Sequence, residues 1–313
     1  MKEIIIAKND AGQRVDRFLM KAFPALPRSY LYKAVRSKKI KVNRKRCEIA
    51  QRLQEGDHVL LFIDPRFLQD EKKEHDFLQV PASLDVVYED EHILVIDKPQ
   101  GLRSQRDEQG PQDCAVSRIL HYLYVRGEYD PDQEQSFVPA LCNRLDRNTR
   151  GLLIAGKHAR ALRDMNAAIR AHEVHKYYLA LCEGRVSPPE GTITLRHRKE
   201  GMKAVLSEDE GKDCALSYRL LRADDACSLV MVELHSGRFH QIRASFAHIH
   251  HPLLGDVKYG ARRQNGHQAL CAFRLSFSLD PANSLSYLNT RVIELPKEKL
   301  PKQMRTLLQD RHC

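Results

Sequence analysis

Asp146 is the one acid between two apolar runs in LCNRLDRNTRGLLIAGK, residues 141–157, and Arg144, Arg147 and Arg150 surround it. Two kinds of chemistry suit that arrangement. Asp and Asn side chains in a polar turn bond to nearby backbone amides, which would make this a plain connection. A carboxylate kept ionised by neighbouring cations at a strand end would instead be available for catalysis. Three other stretches bear on the choice. Asp97-Lys98-Pro99-Gln100-Gly101-Leu102 reads as a strand followed by a Pro/Gly turn. Lys176-Tyr177-Tyr178-Leu179-Ala180 reads as a strand whose tyrosines suit a core as well as a site. Ser236-Gly237-Arg238-Phe239-His240-Gln241-Ile242-Arg243 crowds two arginines and a histidine into a helix start. That end of a helix already carries partial positive charge, so the crowding calls for a nearby anion.

The elements that must position these groups follow from periodicity. Val15, Phe18, Leu19 and Ala22 form a helical stripe, ended by Pro24 and Pro27. Ser29 is the expected N-cap of a second helix, with Leu31, Ala34 and Val35 facing inward. Ile40 and Val42 then alternate with lysines, Asn43-Arg44 makes a turn, and HVLLFI follows the Glu55-Gly56-Asp57 turn as a strand. Residues 65–80 mix charges without period and read as a linker. Beyond them LDVVYEDEHILVIDKPQGL holds two strands about the Glu89-Asp90-Glu91 turn. Helices are expected over 112–127 and 158–171, with Leu162, Met165 and Ile169 of the latter inward. The strands VHKYYLALCEG, TITL, CALSYRLLR and CSLVMVELHSG, a helix starting near His240, and the strand ALCAFRLSFSL complete the core. Strands outnumber helices and do not alternate with them, which excludes a doubly wound parallel sheet and predicts a mixed, mainly antiparallel α+β domain.

At 313 residues the chain is long for one domain. The expected divisions are a basic module over 1–64, the linker 65–80, a catalytic domain over 81–296 and a basic tail over 297–313. No apolar run has the length of a membrane span, and the N-terminus lacks a signal-peptide pattern. The eight cysteines are scattered without a C-x-x-C pair, as reduced thiols of a cytoplasmic protein would be. Residues 1–64 hold fifteen Lys and Arg against seven Asp and Glu, most of the net +10. Charge so concentrated points to a polyanion, and nucleic acid fits better than a membrane surface.

Residues 12–62 resemble the small RNA-binding domain first described in ribosomal protein S-four, through RVDRFL, RSYLYKAVRSKKIKVN and RLQEGD. The resemblance implies that Arg28, Ser29, Lys33, Arg36, Lys38, Lys39 and Lys41 lie on RNA backbone. Residues 81–280 resemble the RluA-type pseudouridine synthases. Their motif H-R-L-D-x-x-T-S-G is matched at Arg144, Leu145, Asp146, Thr149 and Gly151, and SGRFHQIR followed by HPLLGDVKYG is similar to their later signature. That resemblance implies the pseudouridine synthase fold and isomerisation of uridine in RNA to its carbon-linked isomer, without cofactor or metal. Asp146 would match the catalytic aspartate, Arg243 its ion-pair partner, Tyr178 the active-site tyrosine, Arg144 an arginine holding RNA open, and Ile242 part of an apolar pocket floor. Lys98 and Gly101 are expected to be structural. Asn143 and Arg150 depart from the family's His and Ser, and Arg150 is expected to face RNA with Arg144.

The target atoms of a stacked uridine are inaccessible, so the reaction implies nucleotide flipping. The histidines at 240, 248, 250 and 251 follow no zinc spacing, and polar packing or RNA contact is expected of them. Ribosomal RNA of the large subunit is the expected target, with transfer RNA the alternative and no obligate protein partner. A non-catalytic RNA-binding or ribosome-assembly factor retaining the fold is the rival reading.

Overall fold

The computed structural model describes residues 1–68, 75–106, 113–262 and 266–309. The N-terminal module runs β1 (Lys2–Ile5), α1 (Val15–Ala22), α2 (Arg28–Arg36), β2 (Ile40–Val42), β3 (Lys45–Arg46) and β4 (His58–Leu61). Its strands form an antiparallel sheet in the order β1-β4-β2-β3. The apolar stripes of the two helices bury Val15, Phe18, Leu19, Leu31, Ala34 and Val35 against that sheet. Asn43 and Arg44 both take positive φ, the geometry that a two-residue hairpin turn demands. Ser29 does not cap α2. The N-cap is Pro27, two residues earlier and extended, and its ring has no oxygen to accept a cap hydrogen bond.

The rest of the chain builds one sheet from β5 (Val86–Glu89), β6 (Ile93–Lys98), β7 (Ala140–Leu141), β8 (Arg150–Gly156), β9 (Val174–Glu183), β10 (Glu190–Glu200), β11 (Lys203–Ser207), β12 (Lys212–Ala223), β13 (Cys227–Leu234), β14 (Leu270–Phe277) and β15 (Val292–Glu294). Its order is β11-β10-β12-β13-β9-β14-β8-β6-β5, with β7 beside β8 and β15 beside β14. The helices are α3 (Ala115–Val125), α4 (Ala159–Arg170), α5 (Gln241–His248) and α6 (Lys302–Gln309). Both faces of the sheet are covered, so the middles of β6, β8 and β9 are apolar on both sides. Leu153, Ala155, Tyr178 and Ala180 share one face with Ile119 and Leu123 of α3 and Ile242 and Phe246 of α5. Leu152, Ile154, Leu179 and Leu181 share the other with Met165 of α4 and Met304 of α6. Each fully buried Leu or Ile there contributes about 2 kcal/mol.

The strand pairs are antiparallel with one exception among the described residues: β14 runs parallel to β8, pairing Ala272 with Gly151 and Cys271 with Arg150. This seam joins two antiparallel half-sheets. Gly151 has φ +127°, and a Cβ there would lie 2.1 Å from the Ala272 carbonyl oxygen, so the seam closes only around glycine. The β10–β11 hairpin at the far edge is a departure from the sequence reading. Only TITL carries a strand signal, because RHRKEGMKAVLS is largely exposed and lacks apolar alternation.

The two modules touch through polar side chains. Asn9 Nδ2 donates to Glu134 at 2.6 Å, Gln13 Nε2 to Ser136 Oγ at 2.8 Å, and Gln135 Nε2 to the Ile5 carbonyl at 2.9 Å. Ser136 also bonds the buried Asp10 carboxylate.

Candidate active site

Asp146 sits in the turn that precedes β8, and two buried groups fasten that turn. Lys98, fully buried at the end of β6, donates from Nζ to the carbonyls of Pro99 (3.1 Å), Leu102 (2.7 Å) and Arg147 (3.0 Å). Burial draws its pKa down to about 8 against the opposing pull of Asp146 and Asp97. The Ser104 hydroxyl donates to the Leu145 carbonyl at 2.8 Å and accepts from the Leu145 N–H at 3.0 Å. The turn closes on itself through the Thr149 N–H and the Asp146 carbonyl.

The Asp146 carboxylate meets its partner from α5. Arg243 Nη1 lies 3.0 Å from Asp146 Oδ2. The same guanidinium forks onto Asp256, with Nε to Oδ2 at 2.7 Å and Nη2 to Oδ1 at 2.8 Å. Asp256 is almost wholly buried (side chain 1% exposed), whereas the Asp146 side chain is 23% exposed. Arg243 is thus locked from behind by one carboxylate and presents its remaining donor to the other. These two anions answer the cationic helix start. Asp256 stands inside HPLLGDVKYG, but nothing local in the sequence marks it as the second partner of Arg243.

Among the described residues Oδ1 of Asp146 has no hydrogen-bond partner. Tyr178 on β9 is buried in the same core cluster as Leu145 and Ile242. Burial, then the Asp146 charge and the Cys271 thiol, raise its pKa, so the phenol is neutral at ordinary pH. His240 precedes α5 in the left-handed conformation, with Nε2 3.6 Å from Asp146 Oδ2.

Around the aspartate the arginines differ in role. Arg144 is exposed and has no partner among the described residues. Arg150 does not join it: its guanidinium bonds the buried Asp97 carboxylate, with Nη2 to Oδ2 at 2.7 Å. An unpaired Asp97 in that core would be costly, and arginine at 150 supplies the countercharge. Asn143 is likewise committed to the fold, donating to the Leu152 carbonyl at 3.2 Å and accepting from the Ile154 N–H at 2.8 Å. Both departures from the family motif therefore serve β8.

In the N-terminal module Arg28, Ser29, Lys33 and Arg36 are exposed on α2, Lys38 and Lys39 are exposed in the turn after it, and Lys41 is half-buried on β2. Arg28 leans over the Tyr32 ring at 5.6 Å and Lys41 over Phe62 at 5.6 Å. Exposed Arg44, Lys45 and Arg46 at the following hairpin extend the same basic surface.

A half-buried carboxylate held by a buried arginine, near a buried tyrosine and on a mixed sheet with a basic module attached, fits an RNA-modifying isomerase of the pseudouridine synthase class. Comparison with known proteins agrees. The RNA pseudouridylate synthase family matches residues 92–248, and the S4 domain matches residues 13–59. The chain is 30% identical to an "Uncharacterized RNA pseudouridine synthase" of Mycoplasma capricolum, over 94% of this chain and 97% of that one. It is 31% identical to "Ribosomal large subunit pseudouridine synthase C" of Salmonella typhi, over 84% and 81% of the two chains. The solved "Human RNA Pseudouridylate Synthase Domain Containing 1" shares its fold, with TM-score 0.52 and 20% identity over 72% of this chain and 85% of that one. The chain belongs to the RNA pseudouridylate synthase family and is an RNA pseudouridine synthase, an isomerase acting on RNA.

Proposed function

We propose that the protein converts uridine to pseudouridine in large-subunit ribosomal RNA, in the cytoplasm, with Asp146 as the catalytic carboxylate. The observation that carries this reading is the asymmetry of Asp146, whose Oδ2 is bound to Arg243 while Oδ1, among the described residues, is unengaged in a partly open site. Oδ1 is then the reacting atom, either attacking carbon 1 of the ribose or taking the proton from carbon 2. In both routes the glycosidic bond breaks, the uracil turns over and carbon 5 bonds to carbon 1 of the sugar, as the bond from Oδ1 to carbon 1 breaks in the first route and the proton returns to carbon 2 in the second. Loss of the carbon 5 proton completes the isomerisation. One carboxylate suffices, since no water is added as in glycoside hydrolysis.

The target nucleotide is flipped into the site. Tyr178 stacks on the uracil and serves in the carbon 5 proton transfer, Ile242 supplies apolar floor, and the exposed Arg144 holds the RNA open. The exposed cations of α2 and its following turn bind phosphates and position a large structured target without reading its sequence. The ribosomal assignment draws on that module and on the name carried by the Salmonella typhi relative.

The test is a site-resolved pseudouridine map of total RNA, by carbodiimide labelling and mass spectrometry, from cells with and without the gene. A site in large-subunit RNA should disappear in the deletion, return with the wild-type gene and stay absent with Asp146→Ala. A map unchanged by the deletion refutes the target, and restoration by Asp146→Ala refutes the role of that residue.

A further inference from the structure

We propose that His240 is a positioning residue for Asp146, a neutral imidazole fixed in its Nε2–H tautomer by the Tyr259 hydroxyl and donating toward Oδ2. The inference rests on Asp146 being the reacting carboxylate. Tyr259 lies in the turn after Asp256, and its hydroxyl is 2.9 Å from His240 Nδ1. That hydroxyl accepts the Ala204 N–H at 2.7 Å, from the β10–β11 hairpin. Among the described residues it has no acceptor for its own proton other than His240 Nδ1. The phenol therefore donates to Nδ1, and the ring proton belongs on Nε2.

The opposite side of the ring gives the same answer. Nε2 faces Asp146 Oδ2 at 3.6 Å, a separation just beyond a formed hydrogen bond. A lone pair there would repel the carboxylate, whereas an N–H attracts it. Distances of this kind tighten when substrate closes a site. Arg243 and His240 would then both engage Oδ2 and leave Oδ1 alone for the ribose.

The ring cannot swing away. Phe239 stacks on it at 3.7 Å between centroids and 20° between planes, and Tyr259 meets it edge-on. His197 on β10 donates from Nε2 to the Phe239 carbonyl at 2.8 Å, a second tie from the hairpin. Besides Tyr259, the titratable and charged groups facing the imidazole are Arg243 from α5, Lys258 and Asp256 from the following turn, Asp146, and His197. Burial first, then Arg243 and Lys258, bring its pKa down to about 3, with Asp256 opposing, so it is neutral throughout the working range.

Two-bond proton–nitrogen correlation spectra of the full chain, with histidine labelled by nitrogen-15, read the tautomer directly. The His240 signals, assigned by their loss in His240→Gln, should show a neutral ring protonated on Nε2 from pH 8 down to pH 5. Tyr259→Phe should move them to a tautomer mixture. Under saturating RNA from cells lacking the gene, turnover should fall about tenfold in Tyr259→Phe and further in His240→Ala, with KM within about twofold. His240→Gln, which keeps an N–H donor, should retain more activity than His240→Ala. A ring protonated on Nδ1, a charged ring at pH 7, or an unaltered turnover in His240→Ala overturns the proposal. The tautomer is read without reference to activity, so an active Asp146→Ala enzyme would refute the catalytic reading separately.

Discussion

Exchanging Asp256 for asparagine keeps its shape and removes its charge, which leaves Arg243 buried with Asp146 as its single carboxylate. Breaking a buried pair in this way costs about 3–5 kcal/mol, and urea denaturation of Asp256→Asn should show a loss of that order. Turnover should fall with it while RNA affinity holds, since Asp256 is buried behind Arg243. Lys98 gives a prediction in pH. Its three carbonyl bonds need the full ammonium, so activity should decline above about pH 8 as that group titrates. Stability should move the other way. The folded pKa lies below that of the unfolded chain, the unfolded chain binds the proton more tightly between the two, and the Lys98 contribution to stability rises with pH from about 8 to the ordinary lysine value of 10.5. Replacing Lys98 with methionine should abolish both trends, measured as a pH–rate profile and a pH series of urea midpoints. The pairing of Asp146 with Arg243 is legible in the sequence through the resemblance of their stretches to the synthase motifs. Asp256, Ser104 and Tyr259 are not, because no local period records their pairings with Arg243, Leu145 and His240. Arg150 shows the opposite error: its position beside Asp146 suggests RNA, while the alternation of β8 turns it to Asp97.

Among the elements, α2 and the turn after it are legible as an exposed basic face, since amphipathic spacing fixes which side of a short helix is buried. Reversing charge there, in Lys38→Glu with Lys39→Glu, should raise KM for ribosomal RNA several-fold without lowering turnover. If each lysine meets one phosphate, the slope of log affinity against log salt should flatten by about one for every phosphate that is no longer neutralised. The β10–β11 hairpin is the element least visible in the sequence. β11 is the sheet edge, and the two strands bury only Leu195, His197 and Ala204 among many charged residues, so their sequence resembles a loop. Yet this hairpin supplies Ala204 N–H and His197, the two ties that hold the His240 turn.

At the scale of the whole molecule, the modules are joined by side-chain hydrogen bonds at Asn9, Gln13 and Gln135 in addition to the chain itself. These bonds tie the module that carries the basic face to the domain that carries Asp146. No helix among the described residues is long and apolar enough to cross a membrane. The general architecture is legible because strand-rich, irregular alternation excludes a doubly wound sheet; the one parallel pairing is not, because strand direction leaves no mark on composition. That pairing of β14 with β8 also sets a sequence of events. Asp146 and Lys98 come from one half-sheet, Tyr178 from the other, and Arg243 from the helix that follows β13. Either half can gain its hairpins from near neighbours, but the seam must bring together strands separated by most of the catalytic chain. During refolding, then, circular dichroism should recover before catalysis, and the lag between the two signals is a clock for the closing of the seam around Gly151.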